Sequence, residues 1–206
     1  MRAVIIAGGT IKDSEYIRAQ INEGDKIVCA DSGCNNAKKL RVVPDVVIGD
    51  FDSFPKEEAV FKEELISLPT EKDRTDTHEC VCYCIEKGAD EILLLAATGS
   101  RLDHTIANLH LLKVAADAGV RMKIVNENNE IFLIDKECSI PKKEGFHLSL
   151  LPVGRAAGIS ASGVYYPLSD GVMEFGNPYG VSNEFTKSTA EISVKDGLLL
   201  AFLSRD

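Results

Sequence analysis

Asp50 and Asp52 stand two residues apart, and Asp73 and Asp76 three apart. In an extended segment the first pair points to one side. At a helix start the second pair shares a face. Gathering such groups is costly, since two like charges about 4 Å apart repel by roughly 4 kcal/mol at an effective dielectric near 20. A cation among them, or a proton on one of them, relieves the repulsion. Oxygen ligands with no nearby Cys or His cluster favour Mg²⁺ over zinc. Mg²⁺ beside one or two carboxylates normally also holds substrate phosphates.

The segment Thr98-Gly99-Ser100-Arg101-Leu102-Asp103-His104 supplies complementary chemistry. Gly99 lets backbone approach a ligand closely. Ser100 and Arg101 precede a helix expected from Leu102 or Asp103, whose free amides and dipole attract phosphate. Arg101 can grip phosphate oxygens with two arms. His104 and Asn108 lie one turn apart and can face the same ligand. Each motif also has a plain structural reading. Asp73 or Thr75 can cap a helix, Ser100 with Asp103 resembles a capping box, and Asp31-Ser32-Gly33 can be a turn.

The elements that must position these residues alternate. Strands are expected at Ala3–Ala7, Lys26–Ala30, Asp45–Ile48, Leu65–Leu68, Glu91–Ala96 and Met122–Val125. Helices are expected near Asp13–Asn22, Gly33–Leu40, Lys56–Glu64, Thr75–Lys87 and Asp103–Ala118. Continuous apolar runs such as Ile92-Leu93-Leu94-Leu95 suit strands buried on both faces, hence a doubly wound, mostly parallel α/β sheet. In such sheets ligands sit beyond the carboxyl ends of the strands. Asp31 and Gly33, Asp50 and Asp52, Asp73 and Asp76, and Thr98 to Asn108 follow successive strands, so they converge on one rim. No GxxxxGK[ST] loop is present and no GxGxxG follows the first strand, which excludes the commonest nucleotide fingerprints; Gly8-Gly9-Thr10 alone is weak.

Past Asn126-Glu127-Asn128-Asn129 the helical period disappears and short alternating runs take over. Residues 1–127 and 128–206 therefore divide into an α/β domain and a smaller antiparallel β domain. Glu191–Lys195, Asp196-Gly197 and Leu198–Leu203 predict a hairpin with a type I′ turn. Net charge is −9, with 45% hydrophobic and 27% charged residues. That balance argues against a nucleic-acid or anionic-membrane binder. No apolar run is long enough for a membrane span or a secretory signal, and no Cys/His set has zinc spacing, so a cytoplasmic location with six reduced cysteines is expected.

Asp31-Ser32-Gly33-Cys34-Asn35, Pro44 to Ser53, Lys72-Asp73-Arg74-Thr75-Asp76 and Thr98 to His104 with Asn108 together resemble the bacterial thiamine pyrophosphokinase family. Gly163-Val164-Tyr165-Tyr166-Pro167-Leu168 and Gly180-Val181-Ser182-Asn183-Glu184 extend the match over nearly the whole chain. The resemblance implies an α/β catalytic domain followed by a β-sandwich, working as a homodimer with sites at the subunit interface. It implies ATP and thiamine as substrates, thiamine diphosphate and AMP as products, and Mg²⁺ as cofactor.

Carried over, Asp50, Asp52 and Asp73 match metal positions, and Asp73, Asp76, Arg101 and Asp103 match catalytic ones. Asp31, Gly33, Thr98, Gly99, Ser100, His104 and Asn108 match the ATP side. Tyr166, Ser182 and Asn183 match the thiamine side. Asp73 and Asp103 both remain candidates to accept the alcohol proton. Ser32 and Ser100 stand where glycine is common, and Tyr165 where lysine is common. Three other readings compete: a diphosphokinase for another hydroxymethyl heterocycle such as a pterin, a metal-dependent phosphohydrolase, and a non-catalytic nucleotide sensor.

Overall fold

The computed structural model describes residues 1–51, 64–69, 71 and 73–206 and divides into two compact units, Met1–Glu127 and Asn128–Asp206. In the first unit β1 (Arg2–Ile6), β2 (Lys26–Ala30), β3 (Val46–Gly49), β4 (Glu64–Ser67), β5 (Glu91–Leu95) and β6 (Arg121–Val125) alternate with helices α1 (Ser14–Arg18), α2 (Gly33–Leu40), α3 (Asp76–Glu86) and α4 (Leu102–Asp117). The strands lie in the order β4-β3-β2-β1-β5-β6, and every pairing is parallel. Ala3, Val4, Ile5 and Ile6 are fully buried, as are Leu94 and Leu95, which is what a sheet covered on both faces requires. Burying each of these valine, isoleucine and leucine side chains is worth about 1.5–3 kcal/mol.

Local chemistry sets the helix starts. Asp13 Oδ1 accepts from the amides of Glu15 and Tyr16 at 3.0 and 2.9 Å and so caps α1. Thr75 Oγ1 accepts from His78 N at 3.2 Å and caps α3. At α4 the plain capping-box reading of Ser100 with Asp103 is not realised: Arg101 occupies the cap position, with no side-chain bond to the helix amides. Asp103 is held by Arg101 instead. The helix expected over Lys56–Glu64 lies outside the described residues except for Glu64, which begins β4.

The strand order reverses between β1 and β5. From β1 the chain runs outward through β2, β3 and β4, then crosses over to β5 and β6 on the other side. The mouth above that reversal is the topological switch point, the place where doubly wound sheets hold ligands.

The second unit contains β7 (Asn129–Ile134), β8 (Glu137–Pro141), β9 (His147–Pro152), β10 (Arg155–Ser162), β11 (Leu168–Glu174), β12 (Thr189–Ser193) and β13 (Leu199–Ser204). Two antiparallel sheets, β7-β13-β9 and β11-β10-β12-β8, share one core. Ile134, Leu148 and Leu203 from the first meet Ile140, Ile159 and Ile192 from the second. This is a β-sandwich.

The hairpin expected at Asp196-Gly197 is not there. β12 pairs with β10 and β8, whereas β13 pairs with β7 and β9. Asp196 instead exchanges backbone bonds with Ala157, at 2.8 and 3.1 Å. Only Gly197 takes a positive φ, 84°. A type I′ turn needs that conformation at both central residues. The dipeptide therefore carries the chain from one sheet to the other.

Candidate active site

Above the switch point of the first unit opens a cavity of about 710 Å³, a size typical of small-molecule sites. Its wall is built from the loops that follow β1, β2, β3, β4 and β5. Gly8, Gly9 and Thr10 come from the first, Asp31 and Ser32 from the second, and Asp50 from the third. Arg74 and Thr75 come from the fourth, with Asp76 and Thr77 from the start of α3, and Thr98 to Arg101 come from the fifth, with His104, Thr105 and Asn108 from α4.

Close backbone packing shapes the cradle. Gly9 N donates to Ala96 O at 2.7 Å and Thr10 N to Thr98 O at 2.8 Å, so the loops after β1 and β5 stay paired beyond the sheet. A Cβ on Gly9 would meet Ala96 O at 2.3 Å and Thr98 O at 2.4 Å. Three asparagines pin these loops. Asn36 Nδ2 donates to Ala7 O and Gly9 O at 2.8 and 2.9 Å. Asn108 Nδ2 donates to Ala97 O at 2.7 Å, and Asn126 Nδ2 to Thr98 Oγ1 at 2.9 Å. Asn108 is buried and its amide is engaged on backbone, so it orients the loop that lines the cavity.

Of the residues singled out from sequence, Asp31, Asp50, Asp76, Thr98, Gly99, Ser100, Arg101, His104 and Asn108 line this one cavity. Gly33 lies beneath it, where a Cβ would meet Ile6 O at 2.0 Å, so only glycine lets α2 start this close to β1. Asp73 and Asp103 are exposed and are not among the lining residues. Asp52 lies outside the described residues. The expectation that Asp50 and Asp52 share one side of an extended segment falls on Asp52 and so lies outside the described residues, and the φ of Phe51 is 61°, in the left-handed region. Gly8, Gly9, Thr10 and Asn36 are the residues that sequence reasoning undervalued. Gly8-Gly9-Thr10 gave only a weak signal, and Asn36 gave none.

Arg101 and Asp103 face one another across the start of α4, with 70% and 64% of their side chains exposed. The guanidinium bond, helped by the His104 amide, holds the Asp103 carboxyl down at about 2, and the same contact raises Arg101 above its ordinary value. Asp103 is thus a weak base while Arg101 stays on it.

The donor set suits a hard cation. Asp31, Asp50 and Asp76 bring carboxylates to the wall, and no cysteine is among its described lining residues. Among the described residues no three of His, Cys, Asp and Glu come together as a metal cage. The carboxylates that line the wall are of the kind Mg²⁺ takes, one or two at a time, with phosphate and water oxygens completing its shell.

In the second unit Tyr166 is two-thirds exposed, and its ring meets Tyr165 edge-on at 4.9 Å. Asn183 clamps it through backbone: Oδ1 accepts from Tyr166 N at 2.9 Å and Nδ2 donates to Tyr166 O at 2.8 Å. Ser182, at φ 59°, donates its amide to the buried Ser149 hydroxyl at 2.9 Å. Tyr166 and Asn183 border a small cavity of about 50 Å³ with Leu148, Val164, Met173 and Tyr179. Ser182 is not among its lining residues.

Comparison with known proteins matches residues 17–124 to the family model "Thiamin pyrophosphokinase, catalytic domain" and residues 137–199 to "Thiamin pyrophosphokinase, vitamin B1 binding domain". The chain is 26% identical to a thiamine pyrophosphokinase of Bacillus subtilis over 98% of both chains. It is 30% identical to thiamine pyrophosphokinase 1 of Arabidopsis thaliana, covering 76% of this chain and 69% of that one. The crystal structure of thiamine pyrophosphokinase from Bacillus subtilis superposes with a TM-score of 0.91 at 25% identity, covering all of both chains.

Proposed function

Since this chain belongs to the thiamine pyrophosphokinase family, we propose that the strand-end cavity of its α/β unit receives ATP and that its β-sandwich receives thiamine. The reaction transfers diphosphate from ATP to the hydroxyl of thiamine, giving thiamine diphosphate and AMP. The observation that supports this placement is the coincidence of the polar cavity with the switch point of the sheet.

Phosphoryl transfer of this kind depends on alignment and charge neutralisation more than on covalent help. The Gly8-Gly9 loop and the first-turn amides of α4 cradle the phosphates. Arg101 leaves Asp103 for the transferring group and offsets the charge that develops there. Asp50, Asp52 and Asp73 would hold Mg²⁺, which would supply screening of the phosphate charge. Asp76 and Asp31 add negative potential that favours the cation. The alcohol proton goes to Asp73 or Asp103, and release of Arg101 would let Asp103 regain basicity. The exposed Tyr166 ring stacks on the cationic thiamine heterocycle, worth about 0.5–2 kcal/mol. Asn183 fixes the backbone of Tyr166, and Ser182 shapes the loop beside it.

The working form is a homodimer with sites at the subunit interface, in the cytoplasm. Exposed Tyr165, Tyr166 and Phe175 favour a covered surface. All six cysteines are free, as suits a reducing compartment, and among the described residues no helix is long and apolar enough to cross a membrane.

One assay tests the reading: AMP release from ATP with and without thiamine. Thiamine-dependent AMP with Mg²⁺ present is the expected result. AMP release without thiamine would favour a phosphohydrolase, and none with thiamine would remove the assignment.

A further inference from the structure

Arg101 is the one cation that the sequence motifs single out for phosphate, and it is already engaged by both arms with Asp103. A second arginine reaches the same cavity from the opposite side of β1. Arg74 follows β4, and with Thr75, Asp76 and Thr77 it forms a continuous stretch of the cavity wall. Thr75 caps α3, which fixes Arg74 just before the helix amides.

The present contacts of Arg74 are loose. Its Nη1 lies 3.6 Å from Cys82 Sγ and 3.8 Å from Glu79 Oε1, with half of the side chain exposed. A thiol sulfur is a weak acceptor, and an exposed ion pair at that distance holds little. Among the described lining residues the Lys and Arg side chains are Arg74 and Arg101, against the carboxylates of Asp31, Asp50 and Asp76. A polyanion entering this cavity meets more fixed negative than positive charge unless both arginines turn toward it.

We propose that Arg74 is a second phosphate-contacting residue of this site, which leaves Cys82 and Glu79 to grip the ATP polyphosphate opposite Arg101, an inference that rests on the nucleotide reading above. Its planar fork matches phosphate oxygens, and little has to be broken to release it. Arg74 therefore makes first contact with the nucleotide, and Arg101 follows once phosphate displaces Asp103.

Equilibrium binding of ATP and of adenosine to the full chain, without thiamine and with Mg²⁺ fixed, tests this. Arg74→Gln should weaken ATP about 10- to 100-fold while adenosine affinity stays unchanged, because the lost contact is to phosphate. Arg74→Lys should recover part of the ATP affinity, since it keeps the charge without the fork. Retained adenosine binding shows that the variant is folded, and the lysine variant serves if the glutamine one is not. ATP affinity within twofold of wild type in Arg74→Gln, or equal losses for ATP and adenosine, would overturn the proposal. Wild-type protein that binds no ATP would overturn the nucleotide reading itself, and this inference with it.

Discussion

Arg101 grips Asp103 at two points, Nε to Oδ1 at 3.2 Å and Nη2 to Oδ2 at 2.6 Å, two residues apart across the first turn of α4. A phosphate that takes the guanidinium also frees the carboxylate. Charge neutralisation on one partner is therefore coupled to basicity on the other.

Asp103 should titrate near 2 in the ligand-free protein, as followed by carboxyl carbon NMR. In Arg101→Gln its midpoint should rise toward the ordinary carboxylate value of about 3.9. The native value is depressed, so the stabilisation is present above the unfolded value and disappears as pH falls through about 2. A midpoint that the substitution leaves in place would mean that the ion pair does not persist in solution.

Asp50→Asn should lower kcat by about 100-fold or more with little change in melting temperature, because Asp50 is half-buried on the cavity wall rather than in a core. Raising Mg²⁺ should recover part of the loss, and chelation should abolish wild-type activity. Turnover near normal would remove Asp50 from the metal site.

The asparagine that holds the loop after β5 should act on stability. Asn108→Ala leaves Ala97 O without its 2.7 Å partner in a buried setting and should cost about 1–3 kcal/mol in urea unfolding. Gly9→Ala should be worse for nucleotide binding than for folding, since its Cβ would drive the loops after β1 and β5 apart.

Tyr166→Ala should raise the thiamine KM about 2- to 30-fold and leave the ATP KM alone, whereas Tyr166→Phe should be nearly silent. An unchanged thiamine KM would assign the ring to packing within the sandwich.

Much of the fold was readable from residues alone. Apolar runs gave β2 at its observed limits and put β1, β3, β4, β5 and β6 within a residue or two. Local signals failed where distant contacts decide. Asp196-Gly197 carries the composition of a hairpin turn, but Ala157 claims its backbone and the flanking strands join different sheets. Ser100 and Asp103 carry the spacing of a capping box, but Arg101 claims the carboxylate. Phe51 takes a left-handed φ where an extended residue is expected, which side-chain type does not announce. The role of Gly8-Gly9 depends on β1 lying beside β5, a fact of strand order that no local pattern encodes. Arg74 was hidden in the same way, since only the folded wall brings it to the cavity.

The placement of β13 between β7 and β9 bears on how the protein is made. Both partners leave the ribosome well before Leu199–Ser204 and must wait, unpaired, for the strand that joins them. The α/β unit has all its strands by Val125 and can close while translation continues. The sandwich must wait for β13, a long-range strand insertion that completes the β7-β13-β9 sheet. Chains stalled short of residue 199 would expose two apolar strand edges to any neighbour.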